Sequence, residues 1–118
     1  MSQLIYLASP YSHPDPAVKQ QRFDAACKAA GRLMIDGDTV FSPIAHSHAI
    51  EAQMLIPQDH KFWMHQDIAI LKHCDSLYVL DIEGWKESKG VAEEISVARA
   101  NNMRIMLYSP DTDNYTFL

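Results

Sequence analysis

The sequence predicts a single α/β domain over residues 1–118, a parallel sheet of four to five strands flanked by helices. Three observations carry this prediction. Apolar runs of strand length (Leu4–Ala8, Thr39–Phe41, 75–81 and 104–108) alternate with longer stretches of helical periodicity, the signature of βαβ units with right-handed crossovers. Breaker clusters carrying helix-start signals stand between them. Repeats, linkers and low-complexity segments are absent, and the chain is long enough for one hydrophobic core but short for two. The architecture is Rossmann-like or flavodoxin-like.

Leu4-Ile5-Tyr6-Leu7-Ala8 ends in Ser9-Pro10 and reads as a parallel strand buried on both faces. Asp15 is placed as N-cap, and Pro16 as first residue, of a helix running to Ile35 with Phe23, Ala26, Ala30 and Leu33 along one face. Asp36-Gly37-Asp38 stops it. Thr39-Val40-Phe41 is a second strand closed by Ser42-Pro43. A longer connection, 44–58, shows helical character only around 49–54. A helix starting near Pro57-Gln58-Asp59 continues to His73, with Met64, Ile68 and Leu71 as its apolar edge and Asp67 bordering that edge. The third strand occupies 75–81, a helix about 87–102 and a fourth strand 104–108, followed by a polar tail.

Bulk properties narrow the function classes. The chain is 47% hydrophobic and 21% charged, with 10 basic and 15 acidic residues and a net charge of −5. There is no basic run, so a nucleic-acid polymer is not an expected partner, because neutralising its phosphates needs a positive surface. No stretch reaches the roughly 18 apolar residues of a membrane span, and none resembles a secretory leader. Cys27 and Cys74 are far apart and form no C-x-x-C pair, so both read as reduced structural thiols in a cytoplasmic protein.

In a parallel sheet, ligands bind beyond the C-terminal ends of the strands. That rule gathers three loops: 8–13, 42–48 and 81–90. The last leads into Ser88-Lys89-Gly90-Val91-Ala92-Glu93-Glu94, a hydroxyl and a glycine at a helix start with carboxylates in the first turns. Ser88 and Gly90 suit a phosphate at that helix N-terminus. With Val91, Ile95 and Ala98 as the buried stripe, Glu94 lies roughly 60–70° from its centre and Glu93 nearly opposite. Glu94 is therefore the half-buried carboxylate poised for chemistry, and Glu93 the solvated one. From pattern alone both also suit the helix dipole, and Asp67 suits an ordinary helix edge. His46 and His48, in the second-strand loop, are candidates to face a base or ribose. His46-x-His48 has no third assigned ligand, so neither a metal nor another cofactor is expected. Tyr6 belongs to a strand, Tyr11 to the loop at the presumed mouth, and Phe62 and Trp63 read as core or interface aromatics.

These residues resemble the nucleoside 2-deoxyribosyltransferase-like superfamily. The resemblance covers nearly the whole length through short motifs: the turn Tyr6-Leu7-Ala8-Ser9-Pro10-Tyr11, Asp67 ahead of Asp75, and S-x-G-x-x-x-E as Ser88, Gly90 and Glu94, followed by Ala98. It implies that Glu94 is the nucleophile attacking the sugar C1′ and that Asp67 assists the leaving base. Transferases acting on free nucleosides tend to carry an aspartate where Ser88 stands. The serine matches members that hydrolyse nucleoside 5′-monophosphates, where it contacts phosphate. The first loop lacks the Gly-Ser-x-Arg of many nucleotide hydrolases, and Ser9, Tyr11 and Ser12 offer hydroxyls instead. The resemblance further implies a homodimer or higher homo-oligomer, with Asp113-Asn114-Tyr115-Thr116 available to a neighbouring site. The expected function is hydrolysis or base exchange at the N-glycosidic bond of a nucleoside 5′-monophosphate or nucleoside. The alternatives are a non-catalytic nucleotide-binding or sensing module and a metal-dependent hydrolase using His46, His48 and Asp67.

Overall fold

Strands and helices alternate along the chain as β1 (Leu4–Ala8), α1 (Pro16–Ile35), β2 (Thr39–Phe41), α2 (Pro43–Gln53), α3 (His60–Leu71), β3 (Ser76–Leu80), α4 (Lys89–Ala100), β4 (Arg104–Ser109) and β5 (Asn114–Phe117). This computed structural model describes residues 3–118; Met1 and Ser2, within the predicted domain span, lie outside the described residues. The strands form one sheet in the order β2-β1-β3-β4-β5. β2, β1, β3 and β4 run parallel, and β5 joins β4 antiparallel. The α/β class and the mostly parallel sheet agree with the sequence expectation.

Alternation along the strands deals their side chains to two layers. Tyr6, Ala8, Leu77 and Val79 meet Leu71 of α3 and Val91 and Ala98 of α4 on one face. Ile5, Leu7, Tyr78, Leu80 and Tyr108 meet Ala29, Ala30 and Leu33 of α1 on the other. All five residues of β3 are buried, which is why its sequence after Ser76 carries no charged or strongly polar residue. Burying a side chain such as Leu33 contributes about 1.5–3 kcal/mol. Asp15 caps α1 by accepting a hydrogen bond from the Ala17 N–H, with Pro16 following. Gly37, at φ +105°, makes the left-handed turn that reverses the chain into β2.

Two expectations need correction. The connection 44–58 is not mostly irregular: α2 begins at Pro43, with Ser42 Oγ accepting from the Ala45 N–H at 3.1 Å. Ser42-Pro43 is thus a cap and first helical residue, the same device as Asp15-Pro16, as well as a strand stop. The apolar residues of α2 form no single stripe, so periodicity did not betray it. The polar tail, likewise, contains β5. Its four residues are all exposed, with only the Tyr115 ring laid against Tyr78 and Tyr108, so this edge strand shows no apolar pattern. Asp113 makes the turn at φ 53°. Its carboxylate accepts from the Tyr108 hydroxyl at 2.9 Å and pairs with Arg32 at 2.8 Å, fastening the hairpin to α1.

Candidate active site

The three loops beyond the strand ends do converge, around a cavity of about 590 Å³. The first loop contributes Ser9, Tyr11, Ser12 and His13; the start of α2 contributes Pro43, Ile44 and Ser47. His60, Met64 and Asp67 follow one another along one face of α3, four and then three residues apart, and Trp63 adjoins them. The β3–α4 loop and the start of α4, beside α3, add Gly84, Glu87, Ser88, Lys89, Gly90 and Glu94.

Glu94 is the most enclosed charge-bearing group here, with 4% of its surface exposed. The Tyr6 hydroxyl, reaching up from β1, donates a short hydrogen bond to its Oε2. Burial pushes the Glu94 carboxyl up to about 8; the Tyr6 hydrogen bond opposes this, while the charges of Asp67 and Glu93 add to it. Burial and the neighbouring carboxylates drive the Tyr6 hydroxyl far above its ordinary value, so it remains a proton donor at any working pH. Asp67, 9% exposed, is raised by burial to about 6, with His60 pulling the other way. Two carboxyl groups with separated proton affinities share one cavity; at neutral pH the order of the two values leaves the proton on Glu94 and the charge on Asp67, so only a minority form carries an ionised Glu94 beside a protonated Asp67. Glu93 points aside, and its Oε1 lies 3.0 Å from His60 Nε2, so the two side chains bridge α3 and α4 at the rim.

The binding residues expected from sequence divide into two groups. Ser9, Tyr11, Ser12, Ser88 and Gly90 all line the cavity. Ser88 Oγ caps α4 by accepting from the Val91 N–H at 3.2 Å. A methyl added at Gly90 would touch His60 and Met64 at an ordinary 3.8 Å, so space alone does not demand glycine there. Ser9 is 5% exposed and its hydroxyl has no hydrogen-bond partner, nor has the buried Trp63 Nε1. Such atoms call for a partner, and both belong to residues of the cavity wall. His46 and His48, by contrast, sit on α2 rather than in a loop, and neither lines the cavity. His46 is exposed against the Phe41 ring, 5.4 Å between centroids. His48 stands behind the wall, stacked on Phe23 at 3.9 Å, with its Nδ1 2.7 Å from the Tyr11 hydroxyl. His46, His48 and Asp67 do not come together, and no group of three or more metal-ligating side chains occurs among the described residues. No described helix is long and apolar enough to cross a membrane.

Several residues at or behind the cavity wall escaped sequence reasoning. Tyr6 carried one usable signal: a hydroxyl inside an otherwise apolar buried strand needs a polar partner. Ser47 between the two histidines, and Lys19 and Arg22 on α1, carried none.

The profile of a family described as a domain of unknown function (DUF1937) matches residues 3–110. No curated protein matches the sequence. Among solved structures, the fold is similar to one from the characterization of a 2-deoxyribosyltransferase of the psychrotolerant bacterium Bacillus psychrosaccharolyticus. The two superpose with a TM-score of 0.65 at 24% identity, covering 91% of this chain and 72% of that one. The α/β architecture is therefore the 2-deoxyribosyltransferase fold.

Proposed function

The chain belongs to the DUF1937 family, and from its 2-deoxyribosyltransferase fold and cavity we propose that it cleaves the N-glycosidic bond of a nucleoside 5′-monophosphate or nucleoside. One observation carries the reading: a buried carboxyl, Glu94, held by the Tyr6 hydroxyl, with a second carboxyl, Asp67, in the same cavity wall. The ionised Glu94 attacks the sugar C1′ and forms a glycosyl ester as the C1′–N bond breaks. The departing base takes a proton from Asp67. Water then attacks C1′, returning a proton to Asp67 and releasing the sugar and the Glu94 carboxylate; capture by a second base gives exchange instead. Tyr6 orients the nucleophile and stabilises its charged form. The reading brings with it a small-molecule substrate, a cytoplasmic setting and a homodimer or larger homo-oligomer, the last checked by light scattering.

A second reading, a nucleotide-binding module without turnover, draws on the raised proton affinity of Glu94, which keeps most of it un-ionised at neutral pH. One experiment separates the two. The protein is incubated with ribo- and 2′-deoxynucleoside 5′-monophosphates and the matching nucleosides, and released base is followed by chromatography for wild type, Glu94→Ala and Glu93→Ala. Release that Glu94→Ala abolishes and Glu93→Ala largely spares supports the glycosidase. Binding without release from any substrate supports the module.

A further inference from the structure

We propose that the α1 side of the cavity is a subsite for a phosphomonoester, gripped by the Arg22 guanidinium with Lys19 beside it. The inference rests on the glycosidase reading and selects the phosphorylated member of its substrate class.

Arg22 borders both the main cavity and a neighbouring one of about 290 Å³. One of its five N–H donors, on Nη1, is given to the Ser12 carbonyl at 2.8 Å. The other end of the guanidinium lies on the backbone of Gly84. A Cβ there would stand 2.3 Å from Nη2 and 3.0 Å from Cζ, and Gly84 also holds φ +97°. The positive φ keeps position 84 free of a side chain, and the space beside it is filled by the end of the Arg22 side chain. The group is clamped between the first loop and the β3–α4 loop, its position set before any ligand arrives.

A clamped arginine in a protein of net charge −5 would be expected to hold a carboxylate. This one does not. Glu51 and Glu87 line the same cavity and Glu83 the adjoining one, yet neither Arg22 nor Lys19 forms an ion pair among the described residues. Lys19, one turn earlier on the same face, places its Nζ 4.8 Å from the centre of the Tyr11 ring. The unpartnered, almost wholly buried Ser9 hydroxyl belongs to a residue that lines the same cavity. A planar fork with free donors, a second cation and a spare hydroxyl match the oxygens of a phosphate monoester. Asp67 and Glu94 occupy the α3–α4 side, so the site has a cationic and a carboxylic bank. A volume of about 590 Å³ is enough for one nucleotide to lie across both.

The test compares wild type with Arg22→Gln, Arg22→Lys and Gly84→Ala. Two quantities are measured: the ratio of kcat/KM for a nucleoside 5′-monophosphate over that for its nucleoside, and the thermal shift given by inorganic phosphate. Wild type should prefer the monophosphate, and Arg22→Gln should lower the ratio roughly ten- to a hundredfold, mostly through KM. Arg22→Lys, which keeps charge and fold but loses the fork, should fall between. Gly84→Ala should displace the guanidinium and mimic Arg22→Gln. Phosphate should stabilise wild type and not Arg22→Gln. Base release whose ratio is indifferent to all three variants, with no phosphate effect, overturns the subsite and leaves the glycosidase standing. Arg22-dependent phosphate binding without base release from any substrate upholds the subsite and overturns the reaction.

Discussion

Replacing Glu94 by glutamine should stabilise this protein, and the gain should grow with pH. The folded protein raises the Glu94 carboxyl from 4.5 to about 8. A carboxyl whose folded value is raised contributes stability that is complete below the unfolded value and is lost as pH climbs through the folded one. The gap corresponds to up to about 5 kcal/mol at roughly 1.4 kcal/mol per unit. Glutamine never ionises, keeps an oxygen for the Tyr6 hydroxyl and fills nearly the same volume. Even if hydration of the open cavity removes half of the effect, about 2 kcal/mol remains, enough to raise Tm by roughly 8 °C in a domain of this size. At about pH 5 most of the loss has yet to occur, and the gain should be under about 1 kcal/mol. Thermal melts of wild type and Glu94→Gln, followed by circular dichroism at about pH 5 and about pH 8.5, measure the difference. An equal shift at both pH values, or a loss at the higher one, would refute the claim that this carboxyl is held out of water.

Catalysis should follow the same two carboxyls. With Glu94 needed ionised and Asp67 protonated, kcat/KM should be flat between about 6 and about 8 and fall outside that window. Asp67→Asn should slow the enzyme and remove the alkaline fall, which a pH–rate profile would reveal. Tyr6→Phe deletes the one interaction that lowers the Glu94 value, so the limb near 8 should move to higher pH and the rate should drop roughly 10- to 100-fold. Leu33→Ala empties a fully buried site in the α1 layer, and the urea midpoint should report a loss of about 2–5 kcal/mol.

Much of this arrangement could be read from the sequence, for identifiable reasons. Local rules were enough where the signal is local: Asp15-Pro16 starts α1 and Ser88 caps α4, and the 100° step of a helix separates a buried Glu94 from a rim-facing Glu93. Topology alone gathered the three loops, since parallel strands deliver their C-terminal ends to one side. Elsewhere the decisive contact spans distant residues. β5 exists because β4 offers it an edge and Arg32 anchors its turn. His46 and His48 lost their expected place when the loop proved to be a helix, which aims Ser47 into the cavity and turns the histidines elsewhere. The Tyr6–Glu94 pair joins residues 88 positions apart, and the fit of Arg22 over Gly84 joins α1 to the loop beyond β3. No periodicity records either.

Tyr6 is wholly buried within the apolar layer of Leu71, Val79 and Val91, its ring 5.8 Å from that of Phe41. Its hydroxyl nevertheless ends at the cavity's most enclosed carboxyl. The hydrophobic layer on that face of the sheet therefore serves as a mounting as well as a filling, because a small rotation of the ring withdraws an atom from the site. Conservative repacking that ordinary cores absorb should be silent around Leu33 and audible around Val79, where a methyl gained or lost changes turnover before it changes the melting curve. Laboratory evolution of this scaffold would accordingly find its activity determinants partly among residues that no substrate touches.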